Sequence, residues 1–206
     1  MVALRVLPLG PPGAGKGTQS RRIADEYDVP HISTGDMLRA NKDMETDHGT
    51  PREYMEAGEL VPDEVMEAVV EEALDGRDGF ILDGYPRTIR QADHLATVAT
   101  LDAIIYLSVD RDELIDRLSG RRTDPETGTT YHVDFNMPDD PTIADRLIRR
   151  EDDAPEQVER RLDVYEENTK AVIEYYQNHD GFVEIDGEGT PEAVWNRIKS
   201  SLDTHV

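Results

Sequence analysis

The fold of this chain is decided by a glycine-rich stretch near its amino terminus, Gly10-Pro11-Pro12-Gly13-Ala14-Gly15-Lys16-Gly17-Thr18. An apolar run from Val2 to Leu9 precedes it, and a helical pattern that includes Ile23 and Tyr27 follows it. Glycine and lysine at this spacing, between a strand and a helix, are typical of loops that bind phosphate groups. The stretch therefore predicts a first strand, a phosphate-binding loop and a helix, in that order.

The chemistry of this loop depends on missing side chains and on one positive charge. Gly13 and Gly15 carry no side chains, so backbone N–H groups can surround an anion at the start of the helix. Lys16 then supplies a mobile positive charge for the outer phosphates. A hydroxyl residue that binds magnesium usually follows such a lysine, but here Gly17 follows it and the hydroxyl comes at Thr18. We therefore expect magnesium to be held largely through water.

Apolar runs and helical patterns alternate along the rest of the chain. The runs that we predict to be strands are Val2–Leu9, Val29–Ser33, Phe80–Leu82, Ala103–Val109 and Phe182–Ile185. Such alternation is typical of a parallel sheet that is covered by helices on both faces. We therefore predict a doubly wound α/β fold with a five-stranded parallel sheet. Pro8 fits this prediction poorly, because a proline in a central strand forfeits a ladder hydrogen bond.

Two stretches interrupt the alternation, and we predict that both are inserted flaps. The first, residues 34–61, contains helical segments punctuated by Gly49, Pro51 and Gly58. The second, residues 121–153, is rich in Asp, Thr, Pro and Gly. The predicted core domain consists of residues 1–33, 62–120 and 154–206. Its last part opens with a long helical pattern from Pro155 to about Gln177.

The composition is strongly acidic, since 45 Asp and Glu residues against 22 Lys and Arg residues give a formal net charge of −23. This charge disfavours nucleic acid as a partner, and salt would screen its self-repulsion, so we expect a salt-rich cytoplasm. No run is long and apolar enough for a membrane span, and no signal region precedes the first strand, which favours a cytoplasmic protein. The absence of cysteine excludes disulfides and cysteine zinc sites. Nothing resembles an interface signal, so we expect a monomer.

Several ordered segments resemble those of adenylate kinases. They are the loop from Gly10 to Gln19, Ile32-Ser33-Thr34-Gly35-Asp36-Met37-Leu38-Arg39, and Leu82-Asp83-Gly84-Tyr85-Pro86-Arg87-Thr88. The second insertion contains Gly120-Arg121-Arg122, Tyr131-His132-Val133 and Arg150-Glu151-Asp152-Asp153, and it is similar to the lid of the long-lid forms. The resemblance covers nearly the whole chain and implies a P-loop NTPase-type fold with an NMP-binding flap at 34–61 and a lid at 121–153. It also implies reversible phosphoryl transfer from MgATP to AMP, giving two ADP, in a salt-adapted member of the family.

The resemblance also implies roles for individual residues. For catalysis it implies Lys16, Arg87, Arg121, Arg150 and Arg161. For ATP it implies Gly13, Ala14, Gly15, Lys16, Gly17, Thr18, Arg117, Arg121, Thr130, Tyr131 and Gly189. For AMP it implies Thr34, Arg39, Glu59, Leu60, Val61, Gly84, Tyr85, Pro86, Arg87, Gln91, Arg150 and Arg161. For magnesium it implies Asp83, which would orient the water shell of the ion.

The lid departs from one pattern of the family. Some members clamp the lid with zinc through cysteines, which this chain lacks. Its lid instead offers the polar side chains Asp124, Thr127, His132 and Asp145. The histidines show no metal-binding spacing such as His-Glu-x-x-His. We therefore predict a lid that is held by hydrogen bonds, without structural zinc.

Three interpretations of the function remain open at this point. They are an adenylate kinase, a kinase for another nucleoside monophosphate, and a nucleotide-dependent binding switch. Thr34 and Gln91 favour AMP, because related pyrimidine nucleotide kinases carry Ala and Asn there. Plainer interpretations also exist: Lys16 in a simple glycine turn, Arg150 in a surface ion pair, or Thr34 as a helix cap. A binding switch would leave the arginines without a use.

Overall fold

The computed structural model describes residues 4–205, except for the side chains of Glu151 and His205. The strands in this part of the chain are β1 (Arg5–Leu9), β2 (His31–Ser33), β3 (Phe80–Asp83), β4 (Ala103–Ser108), β5 (Arg121–Thr123), β6 (Thr130–His132) and β7 (Phe182–Asp186). Five of them form one parallel sheet in the order β2-β3-β1-β4-β7. This sheet confirms the predicted fold class. β5 and β6 form a separate antiparallel pair.

The α-helices in the described residues are α1 (Lys16–Tyr27), α2 (Thr34–Ala40), α3 (Pro51–Ala57), α4 (Asp63–Leu74), α5 (Ile89–Val98), α6 (Arg111–Gly120), α7 (Pro141–Ala144), α8 (Pro155–Val164), α9 (Lys170–Tyr176) and α10 (Pro191–His205). Seven of them cover the two faces of the parallel sheet. One apolar cluster joins the sheet to α1, α6, α8 and α10, and a second joins it to α4, α5 and α9. Neighbouring strand residues alternate between the clusters, as Val6 and Leu7 show, because both faces of a parallel sheet are buried.

The five strands of the parallel sheet differ from the predicted ones only at their ends, whereas the short pair β5 and β6 was not predicted. The predicted start of the first strand, Val2, lies outside the described residues, and the described strand begins at Arg5. β2 begins at His31 rather than Val29 and spans three residues. The apolar content of each run therefore located the strands correctly, whereas their ends depend on backbone pairing with neighbours that the sequence does not specify.

The predicted helix from Pro155 to Gln177 is interrupted by a π-helical segment, Tyr165–Thr169. In one uninterrupted helix the apolar side chains of this segment would lie near one face; they are Val158, Leu162, Tyr165, Val172 and Tyr176. In the structure Val158 and Leu162 belong to the first apolar cluster, whereas Val172 and Tyr176 belong to the second. The wider turns shift the helical register, so α8 and α9 bury their apolar side chains on opposite faces of the sheet.

Pro8 lies in the central strand without disrupting it. The carbonyl of Leu4 accepts from the N–H of Phe80 at 2.9 Å, so the backbone polar groups of Leu4 face β3. Because alternate residues of a strand face the same neighbour, the backbone polar groups of residues 6 and 8 face β3 as well. The register with β3 ends at the pair of Val6 with Ile81, before Pro8 is reached. The missing N–H of Pro8 therefore falls on the side where pairing has already ended, and the four-pair ladder with β4 is retained.

The two predicted insertions contribute no strand to the parallel sheet. Residues 34–61 contain α2 and α3, between β2 and α4. Residues 121–153 contain the β5–β6 pair and α7, between α6 and α8. No helix within residues 4–205 is both long enough and apolar enough to cross a membrane.

Candidate active site

The glycine-rich loop joins β1 to α1 at the carboxyl edge of the sheet. Gly13 and Gly15 have φ angles of 87° and 92°, in the left-handed region that favours glycine. Lys16 opens α1, and its Nζ donates to the carbonyl oxygens of Gly10 and Pro11 at 2.7 and 2.9 Å. The ammonium group is therefore held beside the amino end of a helix, where an anion is stabilised.

The environment of Lys16 disfavours its positive charge. The pKa of the ammonium is lowered to about 8, chiefly by burial and in smaller part by the guanidinium groups of Arg87, Arg161 and Arg121, while Asp83 opposes the shift. Phosphate groups of a bound nucleotide would stabilise the charged form and raise this pKa. Binding of a phosphate-bearing ligand at the loop would therefore be linked to protonation of Lys16.

We expect this linkage to appear as weaker nucleotide binding at alkaline pH. Below about pH 8 the free protein already carries the proton, whereas above it each bound nucleotide must bring a proton in, so Kd rises by up to about tenfold per pH unit. Calorimetric titration of MgATP in two buffers with different ionisation enthalpies measures the proton uptake directly. Lys16→Arg keeps a permanent charge and should remove the uptake, whereas equal Kd values at about pH 7 and 9 would contradict the linkage.

Asp83 ends β3 directly opposite the start of α1. Its Oδ2 lies 3.3 Å from the position that a Cβ atom would occupy on Gly17, so glycine leaves room for this carboxylate. The Nε2 atom of His31 lies 3.5 Å from the same oxygen. Burial raises the pKa of Asp83, but His31 and Lys16 outweigh it, and the net pKa lies below the usual value. Asp83 is thus an ionised carboxylate beside the loop.

The arginines that the resemblance implied for phosphate binding lie close to one another. Arg161 and Arg39 both repel the guanidinium of Arg87, and together with burial they lower its pKa to about 10. Arg121 and Arg39 act in the same way on Arg150, whose pKa is also lowered to about 10, chiefly by burial. This cluster of like charges destabilises the free protein, but a polyanionic ligand would relieve the repulsion.

Two buried carboxylates, which the sequence analysis did not assign to the site, hold part of this cluster. Asp153 is fully buried and forms a bidentate pair with Arg121, and its Oδ1 also lies 3.2 Å from Nη1 of Arg161. Asp152 Oδ2 lies 2.9 Å from the same Nη1. The sequence carried a signal, because Asp152 and Asp153 close the motif that begins at Arg150.

Two open clefts of about 610 Å³ each meet at these charges. Of the residues that the resemblance implied, the first is lined by Thr34, Arg39, Glu59, Leu60, Val61, Gly84, Arg87, Gln91 and Arg161. The second is lined by Lys16, Glu59, Leu60, Gly84, Tyr85, Pro86, Arg87 and Arg161. Glu59, Leu60, Gly84, Arg87 and Arg161 line both clefts, so the two clefts share a boundary that carries two arginines and one glutamate.

The polar side chains of the first cleft already have protein partners. Thr34 is almost fully buried, and its Oγ1 donates to the carbonyl of Asp83 at 3.2 Å. Nη2 of Arg39 lies 2.5 Å from Asp36 Oδ1. Gln91 is also buried, and it contacts the backbone of Arg87 through its Oε1. The cleft is therefore built from fixed side chains rather than mobile surface groups.

The other residues that the resemblance implied for ATP, outside the glycine-rich loop and the arginine cluster, lie on α6, on β6 and after β7. Arg117 donates to Glu113 at 2.8 Å and to the carbonyl of Gly187 at 3.0 Å. Gly189 follows two residues later, with a φ angle of 95°. Thr130 and Tyr131 lie in β6, in the second insertion. The structure thus brings Arg117 to the loop after β7, whereas Thr130 and Tyr131 lie in a different element.

The second insertion is held by an ion pair and by hydrogen bonds. Nε and Nη2 of Arg146 donate to the two carboxylate oxygens of the buried Asp124 at 2.7 and 2.6 Å, and Thr127 Oγ1 donates to Asp124 at 2.9 Å. The expected partners His132 and Asp145 do not join this group: His132 Nε2 lies 3.3 Å from the carbonyl of Asp116. Arg146 pairs with Asp124 instead, because its guanidinium can donate two hydrogen bonds to one carboxylate, whereas the carboxylate of Asp145 has no hydrogen to donate. Within the described residues, no group of three or more metal-ligating side chains occurs.

The sequence of the chain matches known proteins along most of its length. The family model for adenylate kinase matches residues 8–181. An adenylate kinase from Natronomonas pharaonis is 58% identical over 199 residues, which cover 97% of each chain. An adenylate kinase from Haloarcula marismortui is 55% identical over 98% of each chain, and one from Halobacterium salinarum is 48% identical over 96% of each. These relatives come from halophilic archaea, in agreement with the predicted salt-adapted source. Adenylate kinases transfer a phosphoryl group reversibly between ATP and AMP, giving two ADP. The chain therefore belongs to the adenylate kinase family and is an enzyme with this activity.

Proposed function

We propose that the first cleft holds AMP, that the glycine-rich loop holds the phosphates of ATP, and that the phosphoryl group crosses between them. The observation that carries this proposal is the boundary that the two clefts share, where Arg87 and Arg161 face both. Phosphoryl transfer requires the donor and acceptor oxygens to be held in line, with positive charge around the oxygens of the moving group. Arg87 and Arg161 line the AMP cleft and also the second cleft, which reaches Lys16 of the loop, so they supply positive charge between the two proposed phosphate sites.

The proposed donor site extends from the loop to the lid. Backbone N–H groups of Gly13 to Thr18 and the Lys16 ammonium would bind the ATP phosphates. Arg117 would lie over the adenine, since its guanidinium is fixed to the carbonyl of Gly187 and can stack on a ring. Thr130, Tyr131 and Gly189 would complete the site around ATP, the first two from the lid.

The proposed acceptor site is the AMP cleft. Arg39 and Arg87 would bind the AMP phosphate, with Thr34 and Gln91 at the base and the backbone of Glu59, Leu60 and Val61 beside it. Gly84, Tyr85 and Pro86 would form the wall at the shared boundary. Arg121, Arg150 and Arg161 would stabilise charge on the transferring group and its neighbours. A general base is unnecessary, because the attacking oxygen of the AMP phosphate is already ionised.

Adenylate kinases act on MgATP, and the residues beside the loop fit magnesium bound through water. Asp83 offers an ionised carboxylate, and the absence of a side chain on Gly17 leaves space between this carboxylate and α1. A carboxylate is a suitable partner for the water shell of a hard cation. Asp83 would orient that shell, and the Thr18 hydroxyl would contact it from α1. When bound, magnesium neutralises charge on the ATP phosphates and aligns them.

We further propose that residues 121–153 act as a lid and residues 34–61 as the NMP-binding domain, on a core of 1–33, 62–120 and 154–206. Closure of the lid would exclude water from the phosphoryl group and prevent its loss by hydrolysis. The Asp124–Arg146 pair would give the lid its internal rigidity, so that no structural zinc is needed. We also propose a cytoplasmic monomer that acts on ATP, AMP and ADP and binds neither nucleic acid nor membrane.

A test of the proposed function measures ADP formation from MgATP with AMP, CMP, UMP or GMP as the acceptor. AMP should be strongly preferred, and Lys16→Met should be inactive, because it removes the charge at the loop. A preference for another acceptor would reject the assignment of Thr34 and Gln91 to the adenine. No transfer to any acceptor, at low or high KCl, would favour the binding-switch interpretation instead.

We predict that the stability of this protein depends strongly on salt. The net charge of −23 destabilises the compact state by self-repulsion, and salt screens it to within about 3 Å at 1 M. Between about 0.1 and 2 M KCl, Tm should rise by about 5–10 °C, which corresponds to ~2–3 kcal/mol in a protein of this size. Sucrose at matched osmolality controls for solute exclusion. An unchanged Tm would contradict the prediction.

A further inference from the structure

The geometry points to Asp63 as a positioning residue that determines which pattern of donors and acceptors on a base the AMP cleft can bind. This inference rests on the proposed placement of the AMP base beside Gln91. Asp63 opens α4 and does not line either of the two clefts described above, so it would act on the base through another side chain. That side chain is Gln91, whose Nε2 donates to Asp63 Oδ1 at 2.7 Å.

The orientation of the Gln91 amide follows from the chemistry of its two partners. The backbone N–H of Arg87 lies 2.7 Å from one end of the amide, and this group can only donate. The carboxylate of Asp63 lies at the other end, and an ionised carboxylate can only accept. The carbonyl oxygen Oε1 must therefore face Arg87, and the amino group Nε2 must face Asp63. A flipped amide would put two donors together at Arg87 and two acceptors together at Asp63.

The fixed amide can recognise only one arrangement of donor and acceptor on a base. Each end of Gln91 keeps one bonding position: a lone pair on Oε1 and a hydrogen on Nε2. Adenine pairs with this arrangement, because its 6-amino group donates and its N1 accepts. A 6-oxopurine such as hypoxanthine presents the reverse order, with O6 accepting and N1–H donating. If the amide flipped freely it would serve both, so the bond to Asp63 creates discrimination against 6-oxopurines.

Asp63 is itself held at its place in the structure. Its two carboxylate oxygens lie 3.2 and 3.4 Å from the Oγ1 of Thr88, which also accepts from the backbone N–H of Gln91 at 3.2 Å. Thr88 caps α5, so Asp63, Thr88 and Gln91 join the start of α4 to the start of α5. Two helices therefore fix the carboxylate, and it in turn fixes the amide.

The test compares kcat/KM for AMP and for IMP, a 6-oxopurine acceptor, in the full-length protein with MgATP. Asp63→Leu keeps the branching of the side chain at Cγ but removes the acceptor, so the AMP-to-IMP ratio should fall by about tenfold, the size of one hydrogen bond. Asp63→Asn can accept through its oxygen or donate through its amino group, so it holds the Gln91 amide less strictly and should give a ratio between those of Asp63→Leu and the unchanged protein. Glu64→Gln is the matched control, because Glu64 is also in the first turn of α4 but pairs with Arg90 at 2.7 Å.

The outcomes separate this inference from the proposed AMP site. A lowered ratio in Asp63→Leu, an intermediate ratio in Asp63→Asn and an unchanged ratio in Glu64→Gln support the inference. If kcat falls equally for both acceptors and the ratio is unchanged, Asp63 is only structural and the inference is wrong. Gln91→Leu serves as the reference: if it too leaves the ratio unchanged, the placement of the base beside Gln91 fails. Should Asp63→Leu not fold, Asp63→Ala replaces it in the same comparison, with the same expected fall.

Discussion

Replacement of Arg87 by alanine should lower kcat by about a hundred- to a thousand-fold while the protein remains folded. Arg87 lies on the boundary of both clefts, and its Nε donates to the carbonyl of Gly84 at 2.9 Å, which orients the guanidinium. In the free protein this group is buried among like charges, chiefly Arg161 and Arg39. Its removal relieves repulsion, so the loss of turnover should occur without a comparable loss of stability.

The control for Arg87 lies three residues further along the chain. Arg90 is exposed and pairs with Glu64 and Glu67 on α4, away from the clefts. Arg90→Ala should change turnover little, because exposed ion pairs contribute about 0–1 kcal/mol. Arg87→Lys should give an intermediate rate, since it keeps a charge but not the bidentate fork. Near-normal turnover of Arg87→Ala, measured as ADP formation under saturating MgATP and AMP, would reject the assignment.

Local sequence patterns were sufficient to predict the sheet and the loop. Most strands of the parallel sheet lie in short apolar runs, because both faces of the sheet are buried, and the shortness of these runs distinguishes them from helices. The backbone at Gly13 and Gly15 has positive φ angles that favour glycine, so these two residues specify the conformation of the loop. The π-helical segment Tyr165–Thr169 was missed, because one wide turn hardly changes an apolar pattern that continues on both sides of it.

The candidate site was predicted less completely than the fold, because its polar network depends on contacts distant in sequence. Asp63 lies 28 residues before Gln91, and no local pattern connects the two. The sequence analysis placed Gln91 at the base of AMP, and the structure adds that both ends of its amide have protein partners. Asp124 was found as a lid residue, but its partner Arg146 was not, because only the path of the chain through α7 brings the guanidinium to it.

A second large effect is expected from Asp153→Asn, which should lower the free energy of unfolding by about 3–5 kcal/mol. Asp153 is fully buried, forms a bidentate pair with Arg121 and contacts Arg161. The amide would keep the size of the side chain but remove its charge, and its amino group would face guanidinium donors. Denaturant unfolding of the free protein measures the loss. Asp163→Asn is the control, because Asp163 is half exposed and pairs with Arg111 on the surface at 2.8 Å.

The response of this variant to nucleotide distinguishes a counterion from an ordinary structural residue. In the free enzyme, Asp153 neutralises part of the arginine cluster from one side. The substrate phosphates are proposed to bind the same cluster from the other side. When that carboxylate is neutralised, the arginines should depend more on the phosphates, so ADP should raise Tm by more in Asp153→Asn than in the unchanged protein. A variant damaged only in its packing would show an equal or smaller rise with ADP. Such a result would contradict the role of Asp153 as a counterion, because nucleotide binding would then be insensitive to the charge that the substitution removed.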